Sequence, residues 1–378
     1  MILLNKHVPR LYEIVERKGL GHPDTLADGI SEAISRALCR FYLDEFGQIQ
    51  HHNVDKVLII AGQSAPRFSG GSIQKPPAVV VGGRASRTAA FPLADIVREA
   101  SASYLHSTLK NLERFDVEPR LEAGAPELRS LIGRGANDTS IGVGYAPLSE
   151  TERLVLGLED VVRGVPGAGE DIKLMAVRGE GKLTLVVAVA MVSRFINSRE
   201  EYDWAKEAVR EAVMRKVEAW RASQASAQVE DVEVYVNCAD SLENIYLTVT
   251  GTSIEMGDDG ATGRGNRGNG LITPMRPMTM EAIAGKNPVS HVGKIYNVLA
   301  QRAAAEIAEL DWVDEACVTL VSKIGSPISQ PLLRGVQISG DGTLTSGKEA
   351  KVNGILDYWL QSTEDLVEQF VHGRLTLY

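Results

Sequence analysis

The 378-residue sequence has few cysteines, no long apolar run and no excess of positive charge. Its three cysteines, Cys39, Cys238 and Cys317, lie far apart without a CxxC pattern, so they indicate neither a disulfide framework nor a zinc site. We expect all three to be buried as small hydrophobic side chains. No apolar stretch is long enough to cross a bilayer, which predicts a protein without a membrane partner. The N-terminal segment lacks the features of a secretory signal, so the expected location is cytoplasmic.

Charge and length narrow the class of protein further. The net charge of −9 argues against a nucleic-acid partner, because such proteins need a positive surface to displace counterions from phosphates. With 44% apolar residues, the chain can bury large cores, in two or three domains or in one unit of repeated subdomains.

Two common nucleotide-binding motifs are also missing. The segment AGKNP around Lys286 is not a P-loop, because Met280 stands where the first glycine is needed and Asn287 where serine or threonine is needed. The segment GDDGATGRG, residues 257–265, contains no GxGxxG fingerprint and does not directly join a strand to a helix in a compact βαβ unit. Any nucleotide must therefore be bound by a different scaffold.

The most informative segment that is present spans residues 257–270 and reads GDDGATGRGNRGNG. Its glycines let the backbone approach a ligand closely, its aspartates can hold Mg²⁺, and Arg264 and Arg267 can grip phosphate oxygens. A mobile surface loop is the alternative. Further cations follow within residues 274–297, which favours a polyphosphate site; they are Arg276, Lys286, His291 and Lys294.

Four other segments contain candidate site residues. In residues 13–32, a Gly-x-Gly turn opens a helix whose free N–H groups could bind an anion, with Glu16, His22 and Asp24 around it. Taken alone, Asp24 is more typical of an N-cap than of a metal ligand. In HHNVDK, residues 51–56, the adjacent histidines would point to opposite faces of a strand, so Asp55 is the better candidate.

The remaining two segments are less specific. Asn137 and Asp138 lie in a polar turn that could also be an ordinary turn, and Asp171 and Lys173 stand in GEDIKLM without a motif of their own.

Apolar periodicity predicts an α/β or α+β architecture with several small sheets. Helices are expected at about 24–46, after the Ser198/Glu201 capping box, at about 290–310 and within 348–372. Strands are expected at 56–62, 77–83, 183–192, 232–237 and 245–252, with a Gly/Ser loop between the first two and a surface loop at 221–230.

Six segments in this order closely resemble the archaeal-type branch of the S-adenosylmethionine synthetase (methionine adenosyltransferase) family. They are ERKGLGHPDTLADGISE, HHNVDK, GANDTSIGVGYAPLSETERLVL, GEDIKLM, YLTVTGTSIEMGDDGATGRGNRGNGLITPMRPMTMEA and GKNPVSHVGKIYN. The resemblance covers about residues 9–320. It implies synthesis of S-adenosylmethionine from ATP and L-methionine, followed by hydrolysis of bound tripolyphosphate to phosphate and pyrophosphate. It also implies that residues 1–378 form one unit of three similar, interleaved subdomains around a pseudo-threefold axis, in a homodimer with active sites at the subunit interface.

The resemblance assigns roles to the candidate residues. The catalytic groups around the triphosphate would be His22, Lys173, Arg264 and Lys286, with His22 near the oxygen that leaves C5′. Further substrate-binding positions would be Asn137, Asp138, Asp171, Gly263, Arg267 and Lys294. Mg²⁺ would be held by Asp24 and Asp258 with Glu16 nearby, and Asp55 would stand at the K⁺ position.

The chain departs from the family pattern at several positions. Thr25 and Ser290 stand where the bacterial and eukaryotic branch has lysines, and we expect Arg267 and Lys294 to replace that charge. HHNVDK differs from the usual HHNTDQ, and residues 111–133 match poorly and are expected to form a variable loop. Three alternatives stay open: a related transferase with another thioether or nucleotide, a non-catalytic paralogue that binds ATP or S-adenosylmethionine, and a polyphosphate hydrolase that uses only the second half-reaction.

Overall fold

The computed structural model describes residues 1–6, 8, 10–86, 92–132, 135–222 and 229–378. Within these residues the strands are β1 (Ile2–Asn5), β2 (Tyr12–Lys18), β3 (His52–Ile60), β4 (Gln63–Arg67), β5 (Gly70–Lys75), β6 (Ala78–Ala85), β7 (Asp116–Glu122), β8 (Ile141–Ala146), β9 (Ala168–Gly179), β10 (Lys182–Val192), β11 (Asp231–Val236), β12 (Leu247–Thr248), β13 (Gly260–Ala261), β14 (Val313–Val321) and β15 (Leu333–Gly340). The α-helices are α1 (Pro23–Phe46), α2 (Leu93–Thr108), α3 (Pro126–Arg129), α4 (Glu150–Arg163), α5 (Arg199–Arg221), α6 (Val292–Ala308), α7 (Ser346–Gln361) and α8 (Thr363–Val371).

Most strands belong to three small sheets, each with helices on one face. The strand orders are β13-β3-β6-β7, β11-β10-β9-β2 with β12 beside β10, and β1-β15-β14-β8. Helices α1 and α2 pack with the first sheet, α4 and α5 with the second, and α6 and α7 with the third. Each sheet has its own hydrophobic cluster. The predicted mixed α/β class with several small sheets is confirmed.

The face of each sheet that carries no helix remains partly apolar. In β3, Val57 and Ile59 are buried, whereas the alternating residues Leu58 and Ile60 are 44% and 40% exposed. Exposed apolar residues occur on the other two sheets as well, at Ile141, Val177 and Val186. A second surface is needed to remove these side chains from water.

A tight turn places the N-terminus of α1 next to β9. Gly19 N–H donates to the Ile172 carbonyl at 2.7 Å, and Gly21 N–H donates to the Glu170 carbonyl at 3.0 Å. A Cβ on Gly21 would lie 2.3 Å from the Glu170 carbonyl carbon, so only glycine permits this approach. The Gly-x-Gly turn thus fixes where the helix end lies.

The long helices agree with the sequence predictions. α1, α5 and α6 lie where the apolar periodicity predicts them, and the predicted 348–372 helix is divided into α7 and α8. Only half of the expected capping box forms, because Ser198 accepts the Glu201 N–H while the Glu201 carboxylate accepts the N–H of Asn197. Among the described residues, no helix is long and apolar enough to span a bilayer.

Several local predictions are wrong. The strand expected at 245–252 is reduced to β12, because the N–H groups of Val249 and Thr250 donate to the Glu255 carboxylate instead of to a neighbouring strand. The Gly/Ser loop after β3 is a hairpin of β4 and β5, whose polar residues lack the usual strand pattern. Residues 116–122 form β7, paired in parallel with β6, rather than part of a variable loop.

The cysteine prediction is correct at two of three positions. Cys39 and Cys317 are buried. Cys238 is exposed, because it follows β11 beyond the residues that face the core. Of the predicted surface loop at 221–230, residues 223–228 lie outside the described part of the chain, as does residue 133 of the 111–133 segment.

Candidate active site

The N-terminus of α1 carries the first predicted site residues. His22 is the N-cap, because its Nδ1 accepts the Asp24 N–H at 3.2 Å. The prediction of Asp24 as the N-cap is therefore wrong, since Pro23 already begins the helix. The Asp24 carboxylate is instead 2.8 Å from the Lys18 ammonium and accepts the Ala261 N–H at 3.0 Å. Asp24 thus ties α1 to the Gly-rich run, residues 257–270.

Burial and charge set the protonation of this helix end. Burial, together with the positive charges of Lys18 and Lys173, lowers the pKa of His22 to about 4 against the opposite effect of Asp24. The imidazole is therefore neutral near pH 7, and since Nδ1 is an acceptor, Nε2 carries the hydrogen. Burial acts to raise the pKa of Asp24, but the hydrogen bonds from Lys18 and Ala261 lower it overall. The helix end combines a neutral N–H donor with an ionised carboxylate.

The Gly-rich run is held against α1 through backbone groups. Gly263 has a φ of +82°, and its N–H donates to Asp28 at 2.8 Å. Arg267 Nη2 donates to the carbonyl oxygens of Gly263 and Gly265 at 2.6 and 2.8 Å. These bonds fix the run on both sides, which disfavours the alternative of a mobile surface loop.

The charged side chains of Arg264 and Asp258 are exposed, as is that of Asp259, which accepts the Ala61 N–H at 2.7 Å. Lys18 donates to the Arg264 carbonyl at 3.0 Å, so the backbone is anchored while the guanidinium is accessible. The Asp258 carboxylate accepts the N–H of Asp259 at 2.9 Å. The side chains of Arg264 and Asp258 can therefore reach a ligand at the helix end.

Three carboxylates lie on one face of α1 at a spacing of four residues. After Asp24, Asp28 holds the Gly-rich run, and burial raises its pKa to about 7. Glu32 accepts the Gly285 N–H at 3.0 Å and binds the Lys294 ammonium at 2.7 and 2.8 Å. Lys294 is fully buried there. To replace a missing lysine at the triphosphate, as the sequence analysis expects, Lys294 would first have to leave Glu32.

Lys286 belongs to a second set of residues. Its buried ammonium forms an ion pair with Glu281. Burial acts to raise the pKa of Glu281, but hydrogen bonds from Lys286 and Ser140 lower it overall. Asp138 is half exposed and lies 3.9 Å from His291 Nε2. Burial raises the pKa of Asp138 and lowers that of His291.

Asn137 and Asp55 lie near this second set. Asn137 is buried, its N–H donates to the Ser290 carbonyl at 3.0 Å, and its Oδ1 has no hydrogen-bond partner among the described residues. Asp55 is buried and lies 2.6 Å from the ammonium of Lys56, which is 70% exposed. A monovalent cation at Asp55 would compete with this lysine, at the position where HHNVDK departs from the family pattern.

Strand β9 contributes Lys173 and Asp171. Lys173 is 3.4 Å from Glu16 on the neighbouring β2 and is partly exposed. Asp171 is buried and accepts hydrogen bonds from Ser253 N–H at 2.8 Å, Ser253 Oγ at 2.5 Å and Tyr246 at 3.2 Å. Burial raises the pKa of Asp171 to about 6. This carboxylate fixes the turn before Asp258, so we interpret its part in substrate binding as indirect.

Most predicted residues, together with Lys18 and Glu281, which the structure adds, thus form two groups. The helix-end group comprises Glu16, Lys18, His22, Asp24, Lys173, Asp258 and Arg264, and the Lys286 group comprises Asp55, Asn137, Asp138, Glu281, Lys286 and His291. Among the described residues, no hydrogen bond or ion pair joins side chains of the two groups. Their anchor points on α1, Asp24 and Glu32, are about 12 Å apart along the helix.

A cavity of about 180 Å³ adjoins the Lys286 group at Glu281 and is lined further by Arg267 and by apolar residues such as Ile283 and Leu377. Pockets for drug-sized ligands span roughly 300–1,000 Å³. One chain therefore does not enclose a nucleotide within this cavity.

Comparison with known proteins identifies the family. The sequence model of the family described as S-adenosylmethionine synthetase (AdoMet synthetase) matches residues 5–374. The chain belongs to this family. Synthases of S-adenosylmethionine from Methanothrix thermoacetophila and Pyrococcus furiosus are 43% and 42% identical over 386 and 388 residues. In both cases the match covers 97% of this chain and 95% of the relative.

The archaeal origin of these relatives places the chain in the archaeal-type branch of the S-adenosylmethionine synthetases. It is therefore an enzyme of the methionine adenosyltransferase type, as the resemblance implies. The structure of an unusual S-adenosylmethionine synthetase from Campylobacter jejuni has a similar fold, with a TM-score of 0.66 at 17% identity. The alignment covers 97% of this chain and 94% of that one.

Four residues at or near the site escaped the sequence analysis: Lys18, Asp28, Glu32 and Glu281. The four-residue spacing of Asp24, Asp28 and Glu32 is a signal that could have revealed the two helix carboxylates. Lys18 stands directly before the Gly-x-Gly turn, which is a weaker signal. Glu281 lies in an irregular segment and has none.

The metal ligands can be judged from the donor chemistry. Among the described residues, no three His, Cys, Asp or Glu side chains cluster as a metal site. Mg²⁺ at nucleotides usually takes only one or two carboxylates and completes its shell with phosphate oxygens and water. Asp24 and the exposed Asp258 fit this requirement, because Asp24 binds the backbone of Ala261, three residues after Asp258.

Proposed function

We propose that this enzyme joins L-methionine to ATP by attack of the thioether sulfur on C5′, and then hydrolyses the bound tripolyphosphate to phosphate and pyrophosphate. The observation that supports this reaction is the helix-end group, in which a neutral His22, the ionised Asp24 and the accessible Arg264 surround the N-terminus of α1. A thioether has no proton to lose, so the first step needs no general base. It needs cations and N–H donors aimed at the departing triphosphate.

The individual roles follow from this chemistry. His22 Nε2–H would donate to the oxygen that leaves C5′, and Lys173, Arg264 and Lys286 would neutralise the triphosphate. Asn137 and Asp138 would orient the methionine or adenosine end, for which the unpartnered Oδ1 of Asn137 offers an acceptor. The remaining binding positions would act indirectly. Gly263 and Arg267 would hold the backbone of the Gly-rich run through their mutual hydrogen bond, and Asp171 and Lys294 would hold neighbouring segments through Ser253 and Glu32.

Metal ions would assist the same clamp. Asp24 and Asp258, with Glu16 nearby, would hold Mg²⁺, which neutralises part of the triphosphate charge. K⁺ would bind at Asp55 in competition with Lys56. After the first step, the clamp would hold tripolyphosphate for in-line attack by water.

We propose a homodimer in which each active site combines the helix-end group of one chain with the Lys286 group of the other. Two observations support this arrangement. The groups are separate within one chain, and the sheets expose apolar residues such as Leu58, Val177 and Val186 on the faces without helices. An isologous contact would bury these faces and bring complementary groups together twice.

We further propose that each sheet with its helices is one of three interleaved subdomains of a single unit, related by a pseudo-threefold axis, and that the enzyme works in the cytoplasm. The separate hydrophobic cluster behind each sheet supports the first of these proposals.

Product analysis tests the reaction. We expect the purified protein, incubated with ATP, L-methionine, Mg²⁺ and K⁺, to form S-adenosylmethionine, phosphate and pyrophosphate in equal amounts, measured by mass spectrometry and phosphate assays. Reactions without methionine are the control and should leave most of the ATP intact. Formation of ADP, or ATP consumption independent of methionine, would contradict the proposal. Turnover only with another thioether would instead support the related-transferase alternative.

A further inference from the structure

Lys18 occupies a position at the helix end that no predicted role explains. It is the last residue of β2, and its ammonium lies 2.8 Å from Asp24 Oδ2 and 3.0 Å from the Arg264 carbonyl oxygen. The Lys18 side chain is 13% exposed. It therefore lies between a predicted Mg²⁺ ligand and the loop that carries a predicted triphosphate-binding arginine.

The backbone of Lys18 is held on both sides. Its N–H donates to Asn266 Oδ1 at 3.0 Å, and its carbonyl accepts hydrogen bonds from Asn266 Nδ2 at 2.7 Å and Thr25 Oγ1 at 3.0 Å. The Cα is thus fixed, while the four-carbon side chain can still move its ammonium between neighbouring acceptors.

Donor counting shows that the Lys18 ammonium has capacity for a ligand. An ammonium has three N–H donors, and Asp24 and the Arg264 carbonyl use two of them. Two other cations near the site are more fully engaged. Arg267 donates to three backbone carbonyls, and Lys294 is fully buried against Glu32.

We propose that Lys18 is a triphosphate-binding residue that transfers its ammonium from Asp24 to a phosphate oxygen when Mg²⁺ takes the Asp24 carboxylate. A cation held 2.8 Å from this carboxylate competes with the metal, and a metal on Asp24 repels the ammonium towards the nearest anion. At the N-terminus of α1 that anion is the triphosphate. The inference rests on the proposed function, since it concerns the same site and ligand.

Binding of inorganic tripolyphosphate with and without Mg²⁺ tests this role. By titration calorimetry with Mg²⁺, we expect Lys18→Met to bind tripolyphosphate about tenfold or more weakly than the unaltered enzyme, the usual effect of losing a charged hydrogen bond. Lys18→Arg keeps the charge and should recover most of the affinity. In EDTA, where Lys18 stays on Asp24, Asp24→Asn frees the ammonium and should bind tripolyphosphate more tightly than the unaltered enzyme.

Lys206→Met is the matched control. Lys206 lies 2.6 Å from Asp240 and is similarly shielded, but it belongs to α5, outside both groups. This variant should keep its tripolyphosphate affinity and its kcat. Kinetically, Lys18→Met should lower kcat while the KM for methionine stays unchanged, because methionine carries no phosphate.

Three results would overturn the inference. The first is Lys18→Met affinity within twofold of the unaltered enzyme, and the second is an equal loss in Lys206→Met, which would reveal a general effect of a lost ion pair. If Lys18→Met does not fold, the double variant Asp24→Asn/Lys18→Gln removes both charges together and can replace it. The third result is equal tripolyphosphate affinity of this double variant and of Asp24→Asn. Failure of the unaltered enzyme to bind tripolyphosphate would refute the proposed hydrolysis and this role together. That result differs from a failure of the Lys18 inference alone, because it occurs without any substitution.

Discussion

At the scale of single residues, the partner of each charge decides whether it can serve a ligand. Lys294 is neutralised inside the protein by Glu32, whereas the Arg264 guanidinium is exposed and its loop is fixed. Lys286 stands between these cases, because its partner Glu281 is itself partly exposed. Residue type alone therefore does not distinguish a catalytic cation from a structural one.

We expect Arg264→Ala and Lys286→Ala each to lower kcat by about a hundredfold or more, the effect seen when one preorganised electrostatic donor is lost. Steady-state formation of S-adenosylmethionine measures the effect. Circular dichroism should show an intact fold, particularly for the exposed Arg264. Near-normal kcat in either variant would mean that the residue does not act on the triphosphate.

Asp28 should make stability depend on pH. Burial raises its pKa from 3.8 to about 7 in the folded protein, so the folded state holds this proton over a range in which the unfolded state has lost it. The contribution of Asp28 to stability is therefore present at low pH and is lost as the pH rises from about 4 to about 7, by at most about 1.4 kcal/mol per pH unit.

Asp28→Asn cannot ionise but can still accept the Gly263 N–H. Relative to this variant, the unaltered protein should lose free energy of unfolding between about pH 4 and pH 7, measured by denaturant titration. Parallel pH curves for the two proteins would show that Asp28 does not hold its proton in the folded state.

At the scale of elements, the Gly-rich run is a loop whose backbone is hydrogen-bonded to α1 through Asp24 and Asp28. Gly263 is its most constrained residue, because its φ is +82° and a Cβ there would lie 2.9 Å from the Ala282 Cβ. Its N–H and carbonyl bind Asp28 and Arg267. A change at this one residue should disturb the arginine and the helix contact together.

Gly263→Ala should therefore destabilise the protein by roughly 1–3 kcal/mol and weaken ATP binding, because alanine is strained at this φ. Thermal unfolding and the KM for ATP measure the two effects. Gly354→Ala in α7 is the control, since a Cβ there meets no atom within 4 Å and alanine favours a helix. Equal behaviour of the two variants would contradict a structural need for glycine at position 263.

At the scale of the whole molecule, association of two chains would explain two observations together. The site residues form two separate groups, and the sheets expose apolar faces. If two chains associate through these faces, each helix-end group can meet a Lys286 group of the partner. The single chain holds both groups but keeps their anchor points about 12 Å apart along α1.

Subunit mixing tests this arrangement. Asp24→Asn and Lys286→Ala chains, unfolded and refolded together, should form about half mixed dimers, each with one intact site, so activity should recover to about a quarter of the unaltered level. The variants refolded separately are the controls. If mixed dimers form in this proportion without activity above either parent, the two groups act within the same chain.

The sequence by itself determined the long elements, the family and most candidate residues. Helices α1, α5 and α6 could be predicted because their apolar stripes are local and periodic, and the Gly-rich run was recognisable by composition. Local pattern was insufficient at 245–252, where Glu255 takes the backbone N–H groups that a strand would have used.

Only the tertiary structure decided which charges meet. The Lys18 ammonium contacts the Arg264 carbonyl across 246 positions of sequence, and Lys294 reaches Glu32 across 262. The same packing made His22 rather than Asp24 the N-cap, and so left the Asp24 carboxylate to Lys18 and the Gly-rich run. Periodicity records which face of an element is buried, but the partner of a buried charge depends on how distant segments pack, which no local pattern contains.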